Sequence, residues 1–154
     1  MTTTSITGAT PAAFAAHEPS RSNSAQIAQD YLTQTRPNVL FGGDGLMSGA
    51  APAGYTVVSS AAGLRALDTD SSAFVSGQFT RANMAYELAR TSVTSEPHLS
   101  EMTAVALDIL DNDSDGFFLM VGGGRIDHAA HANDLERTVQ EVLEFSRAVQ
   151  TAMD

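Results

Sequence analysis

The sequence contains no cysteine, no lysine and no tryptophan. Without cysteine there is no disulfide framework, no thiolate zinc finger and no thiol nucleophile. Without lysine, every strong base is one of eight arginines. These stand against eighteen Asp and Glu, a formal charge of −10. Sequence-independent nucleic-acid binding needs clustered cations to neutralise phosphates, so the balance argues against it. No run of 18 apolar residues occurs, so no segment is expected to span a membrane. Met1 to Thr7 carries neither the basic start nor the long apolar run of a signal peptide.

What is present is a foldable composition. Apolar residues make up 43% and charged residues 17%, unlike a disordered acidic tail. A length of 154 residues suits one domain. A chain of that size buries roughly 68–70% of its extended surface.

Helical and strand-like segments alternate along the chain. Residues 2–7 are β-prone. Thr10 suits an N-cap and Pro11 the first turn of a short helix over Ala12 to Ala16. Ser24 opens a second helix with Ile27, Ala28, Tyr31 and Leu32 at helical spacing, ended by Pro37. Val39-Leu40-Phe41 reads as a short buried strand, 44–54 as an irregular loop, 55–58 and 73–79 as strands, and 60–67 as a helix. Leu99, Met102, Ala106, Ile109 and Leu110 share one helix face. Phe117 to Val121 is five consecutive apolar residues, the pattern of a strand buried on both faces. A helix is expected from about Ile126. The last helix carries an apolar stripe of Leu135, Val139, Val142, Leu143 and Val149. The expected class is α/β, with a mainly parallel sheet flanked by helices.

The chemistry concentrates in Gly122 to His131, where the apolar strand meets a helix. Ligands bind at such carboxyl ends in open α/β sheets. Asp127 and His131 are spaced i, i+4 and share one helix face. That spacing is a hydrogen-bonded helix pair more often than half of a zinc site, and the convergence of Asp, two His, Arg and three Gly after one apolar strand raises the weight of the site. His128 is adjacent. Arg21 offers a planar fork for an oxyanion. His17 reads as a helix-end residue, and His98, beside Pro97, as a surface residue without a partner. Asp111 to Gly116 matches the first half of a calcium-binding loop. The twelfth position, which must supply a bidentate Glu, is Gly122. That segment therefore reads as a solvated turn. Gly42-Gly43-Asp44 is a common turn composition.

These residues resemble the alkaline phosphatase family. The resemblance rests first on Phe117 to Val121 followed by Gly123-Gly124-Arg125-Ile126-Asp127-His128-Ala129-Ala130-His131. It rests also on Ala9 to Phe14 with His17, Ser20 and Arg21, and on Pro97, Leu99, Glu101-Met102-Thr103 and Ala106. It implies an alkaline-phosphatase-like fold and a phosphomonoesterase with two zinc ions and one magnesium near a serine nucleophile. By motif position it implies Asp127 and His131 as zinc ligands, Arg21 as the phosphate clamp and Thr10 as a magnesium ligand. His128 falls where the family reaches phosphate or its waters. The implied partner is a phosphomonoester or phosphate, and the implied location periplasmic or extracellular.

The departures carry as much information. The family places acidic or His magnesium ligands where this chain has Gly8 and Gly122. Glycine has no side chain to coordinate, so the magnesium site is expected to be lost or very weak. The family's Asp-Ser-Ala nucleophile segment does not occur, and neither do its later Asp-His and His ligands. The chain is thus expected to be a partial domain, residues 1–154, inactive alone. The alternative is a non-catalytic metal-binding or structural fragment that self-associates through open sheet edges. The −10 charge and absence of lysine fit a salt-adapted, halophilic surface.

Overall fold

The computed structural model describes residues 1–44, 47–90 and 95–154. Three parallel strands, β1 (Val39–Gly42), β2 (Thr56–Val58) and β3 (Val75–Gln78), lie in the order β1-β3-β2. Val39 pairs with Val75 across β1 and β3, and Thr56 with Val75 across β2 and β3. The β-prone residues 2–5 extend this order beyond β1. Thr2 donates to Phe41 O at 3.0 Å, and Gly43 donates to Thr4 O at 2.8 Å. Residues 120–122 then run parallel beside Met1–Thr3, through Gly122 N to Met1 O and Thr3 N to Gly122 O, both at 3.1 Å.

Alternation along β1 divides the core. Val39 and Phe41 join Leu64, Val75, Met84 and the inner face of α4 (Leu99–Leu110). Leu40 joins Ile6, Ala12, Ile27, Tyr31 and Tyr55 on the opposite side. Successive strand side chains point to opposite faces, so the sheet is covered on both. α1 (Ala9–Ala15) and α2 (Ser24–Asp30) supply the second cover, with α2 running on as a π-helical turn over Tyr31–Thr35. That turn stops at Arg36, in the left-handed region with φ 45°, just before Pro37. α3 (Ala61–Arg65) starts on Ser60, whose hydroxyl accepts from Gly63 N at 3.1 Å. Leu99, Met102 and Ala106 are fully buried, and Ile109 and Leu110 nearly so, as the α4 spacing predicts. Each large apolar side chain so buried contributes roughly 1.5–3 kcal/mol. The chain closes with α5 (Gly124–His131) and α6 (Leu135–Met153).

Several expectations are corrected. α1 begins one residue earlier than its composition suggests: Gly8 is its N-cap and Thr10 lies inside the first turn, leaving that side chain exposed. α2 likewise starts with Ser24 inside the helix and Asn23 at the cap. α5 begins at Gly124, because Arg125 N is satisfied by Thr3 Oγ1 at 3.1 Å. Residues 117–121 are not a strand buried on both faces. They form the outer margin of the sheet, hydrogen-bonded at Met120 and Gly122 on the Met1 side, and Phe118 is 74% exposed. Finally, α6 turns its apolar stripe outward and buries Glu141, Glu144 and Ala148 instead.

The turn at Asp111–Gly116 is exposed, as its polarity predicts, with Gly116 at φ +89°. The loop expected over 44–54 is irregular where described; Gly45 and Leu46 lie outside the described residues. Gly43 is not a turn residue. It continues β1 under the Ala82 carbonyl, which a Cβ would approach to 2.1 Å.

Candidate functional site

The Gly122–Gly124 step lets the backbone entering α5 lie flat against the N-terminal strand. A Cβ on Gly124 would meet the Thr4 side chain at 2.7 Å. Only glycine permits that approach. Beside it opens a cleft of about 580 Å³. Its walls include Thr2, Thr4, Ser5, Asn83 and Gly122 to Gly124. Gly8, Thr10, Arg21, Asp127 and His128 line the same cleft. Residues separated by more than a hundred positions in sequence thus share one space. His131 lies one turn beyond, outside the cleft wall.

Asp127 Oδ1 and His131 Nε2 are 3.3 Å apart, on the one helix face that their spacing predicts. Their side chains are 68% and 82% exposed. An exposed pair of this kind contributes at most about 1 kcal/mol to stability. Both donors remain available to a ligand. They suit zinc, which takes carboxylate oxygen and imidazole nitrogen, but they make half of a tetrahedral set. Magnesium is a different case. At Gly8 and Gly122 there are no side-chain oxygens, and Thr2, Thr4, Ser5 and Thr10 offer only hydroxyls. A hard cation with octahedral demands would have to draw on those hydroxyls, water and the one carboxylate that lines the cleft, Asp127. The two glycines differ sterically. A Cβ at Gly122 would sit 3.5 Å from Thr2 Oγ1, an ordinary contact, whereas one at Gly8 would press to 2.9 Å from Ser5 O.

Arg21 lies in an exposed turn and makes no hydrogen bond among the described residues, so its fork is open to the cleft. His128 is held. Arg125 Nη1 lies 3.0 Å from its Nδ1. Arginine only donates, so Nδ1 accepts and the neutral ring carries its proton on Nε2. The Arg125 guanidinium is itself fixed 3.5 Å above the Tyr86 ring. Arg125 and Asn83 are contributors that the sequence signalled only as part of a motif or not at all.

A second cluster escaped sequence reasoning entirely. His98 Nδ1 lies 2.7 Å from Glu87 Oε2, so His98 is not the unpartnered surface residue its sequence context suggests. Glu87 also meets Arg90 Nε at 2.7 Å, and both of these side chains are buried. Glu144 Oε1 accepts from Ser100 N at 2.8 Å, an otherwise orphaned donor in the first turn of α4. Glu141 Oε1 accepts from Glu87 N at 2.7 Å. These two bonds explain why α6 packs with its acidic face inward. The only sequence signal was Glu101, three residues after His98, which accepts from His98 N at 2.9 Å. Among the described residues, Glu87, His98 and Glu144 alone bring three potential metal donors together. Their bonds to Arg90, Ser100 and Arg147 mark them as a structural network.

The environment sets their titration. The Glu87 carboxylate raises His98 above its ordinary value, against partial desolvation. Burial, and secondarily the Glu87 charge, push Glu141 up. Burial also acts on Glu144, but bonds from Ser100 and Arg147 outweigh it and hold that carboxyl below the usual range.

A parallel sheet, covered by helices on both faces and opening a polar cleft beyond its strand ends, places the chain among α/β proteins with ligand sites at that edge. Comparison with known proteins narrows this. The alkaline phosphatase family profile matches residues 39–154. Alkaline phosphatase 4 of Bacillus subtilis (strain 168) is 36% identical over 168 aligned positions, which cover 100% of this chain and 35% of that protein. The human tissue-nonspecific isozyme is 43% identical over 89 positions, 58% of this chain and 17% of that one. The cold-active alkaline phosphatase of Shewanella sp. superposes with a TM-score of 0.87 at 30% identity, over 99% of this chain and 38% of that one. The Thermus thermophilus enzyme gives the same TM-score at 33% identity, over 99% and 34%. A variant of the enzyme from the bacterium TAB5, described with Mg bound in its M3 site, gives 0.83 at 25% identity. The chain belongs to the alkaline phosphatase family. It spans about a third of the length of the Bacillus relatives.

Proposed function

We propose that this chain carries the phosphate-facing and one zinc-ligating side of an alkaline phosphatase centre, and does not hydrolyse phosphomonoesters alone. The observation that supports this reading most is the single cleft shared by Arg21, Thr10, Asp127 and His128. Arg21 supplies two parallel donors to a phosphate. His128, oriented through Nδ1 by Arg125, directs its Nε2 proton to a phosphate oxygen or its water. Asp127 and His131 would hold a zinc ion, which as a Lewis acid stabilises charge on phosphoryl oxygens. Thr10 supplies a polar contact without the carboxylates that magnesium requires. Hydrolysis by serine attack needs a nucleophile segment, and no Asp-Ser-Ala sequence occurs in this chain.

Calorimetric titration with zinc tests the site. Weak binding is expected, and Asp127→Ala and His131→Ala should each abolish it. Identical heats in all three proteins would sink the assignment. With zinc and an aryl phosphate the chain should give no product burst; turnover at the rate of a full-length enzyme would overturn the inactivity. The family supports an exported location. The charge balance supports a salt-adapted surface, in which salt screens the self-repulsion of −10 charges. The melting temperature should then rise between low and high salt, and an unchanged value would dismiss that adaptation.

The exposed margin at 117–121 favours a second reading, a structural fragment that self-associates by strand pairing.

A further inference from the structure

Asp30 is a buried acid that the chemistry above does not use. It is 2% exposed. Its Oδ1 accepts from Gln26 Nε2 and Gln34 Nε2, both at 2.9 Å, and its Oδ2 accepts from His17 N at 3.0 Å. The bonds from Gln26 and from His17 N hold its carboxyl below the usual range, against desolvation. A buried carboxylate is tolerated only when its lone pairs are taken, and here uncharged N–H groups take them. The π-helical turn that follows Asp30 supplies both Gln34 and Thr35. Such turns recur at functional sites. The Thr35 hydroxyl donates to Ala15 O at 2.7 Å. Asp30 and Thr35 thus grip the chain at His17 N and Ala15 O, where it leaves α1.

Residues 16–23, which follow that grip, are neither helix nor strand, and they carry Arg21. Glu18 closes the loop on either side of the arginine. Its Oε1 accepts from Ser20 N at 2.9 Å and its Oε2 from Asn23 Nδ2 at 3.0 Å. The nearest acid in sequence is therefore engaged, and the Arg21 fork is left to the cleft. The Glu18 bonds are exposed and compete with water, whereas the Asp30 bond is partly buried and is the firmer root.

We propose, on the reading of Arg21 as a phosphate clamp, that Asp30 is a positioning residue for Arg21. By holding His17 N it roots the loop that presents the guanidinium, so an oxyanion such as phosphate meets a fork already in place. An arginine on irregular chain otherwise loses backbone and rotamer freedom on binding, at a cost in affinity. Because the Asp30 bond is to loop backbone, its loss changes how often the fork is in place and leaves the arginine itself intact. Side-chain chemistry supplies a rescue. In Asp30→Asn the amide oxygen keeps His17 N, and the amide NH2 donates to Gln26 and Gln34 once their own amides rotate. Asp30→Ala keeps none of these bonds.

Limited digestion and phosphate titration of the intact chain test this. Without lysine, trypsin cuts only after arginine, and the rate at Arg21–Ser22 reports how often the loop opens. Asp30→Ala should speed that cut at least about tenfold relative to Arg65–Ala66 and Arg147–Ala148 in the same sample. Asp30→Asn should stay close to the parent. In nitrogen-15 spectra, inorganic phosphate added with zinc should shift the Arg21 Nε–H signal. Asp30→Ala should weaken that response about three- to tenfold, since apparent affinity falls with the competent fraction. Unchanged cutting at Arg21 overturns the proposal. So does equal acceleration at all three bonds, which would make Asp30 a residue of general stability. A parent that responds to phosphate, with an Asp30→Ala variant of equal affinity, overturns the positioning role and leaves the clamp standing. A parent whose Arg21 signal ignores phosphate overturns the clamp reading, and the positioning role with it.

Discussion

Two groups of carboxylates and histidines in this molecule look alike as residue lists and behave oppositely. Asp127 and His131 stand on an exposed helix face, and among the described residues their side chains meet only each other. Glu87, His98 and Glu144 are tied to Arg90, Ser100 and Arg147, with both glutamates buried. The first pair is poorly satisfied and accessible, the condition of donors free to take a ligand. The second is tied into its own fold by ion pairs and backbone bonds and joins the 84–90 region to α4 and α6. Residue type alone does not separate function from architecture; the number of bonds each group has already made does.

Truncation should divide the two most sharply. Glu87→Ala leaves Arg90 only its 4.0 Å carboxylate contact with Glu96 and takes the carboxylate from His98, and it should cost about 3–5 kcal/mol in urea unfolding. Asp127→Ala or His131→Ala should change stability by no more than about 0.5 kcal/mol. Equal losses at the two places would erase the distinction.

A smaller effect concerns pH. His98 has a folded value above its unfolded value of about 6.5. Its contribution is therefore complete below about pH 6.5 and is lost as pH rises through the folded value. Glu144 runs the other way: its depressed carboxyl stabilises above the unfolded range and loses that contribution in acid. Thermal melts of His98→Gln should be less stable than the parent below pH 6.5 and converge with it at alkaline pH. A constant difference across the range would show that the Glu87 contact, not its charge state, carries the effect.

Much of the fold was legible. Periodicity located α4, and β1 and β3 followed from short apolar runs bounded by glycine and proline. These signals are local, because each comes from burial of one face of one element. The motif around Asp127 was legible for the same reason: an i, i+4 pair needs nothing but a helix. What was hidden depended on partners far away in sequence. His98 looked unpartnered because Glu87, 11 residues earlier, meets it only in the folded chain. The inward acidic face of α6 could not be read, since helical periodicity says which residues are apolar and not which face finds a donor.

The sequence by itself determined the α/β class, the family and the Asp127–His131 pair. Each follows from residue identity at a fixed local spacing. Only the tertiary structure decided that Thr10, Arg21 and His128 face one cleft, since loop closure over more than a hundred residues brings them together. It also decided that α6 buries carboxylates and exposes valines. Two backbone N–H groups, from Glu87 and from the first turn of α4, required acceptors inside the fold, and Glu141 and Glu144 were the acceptors in reach.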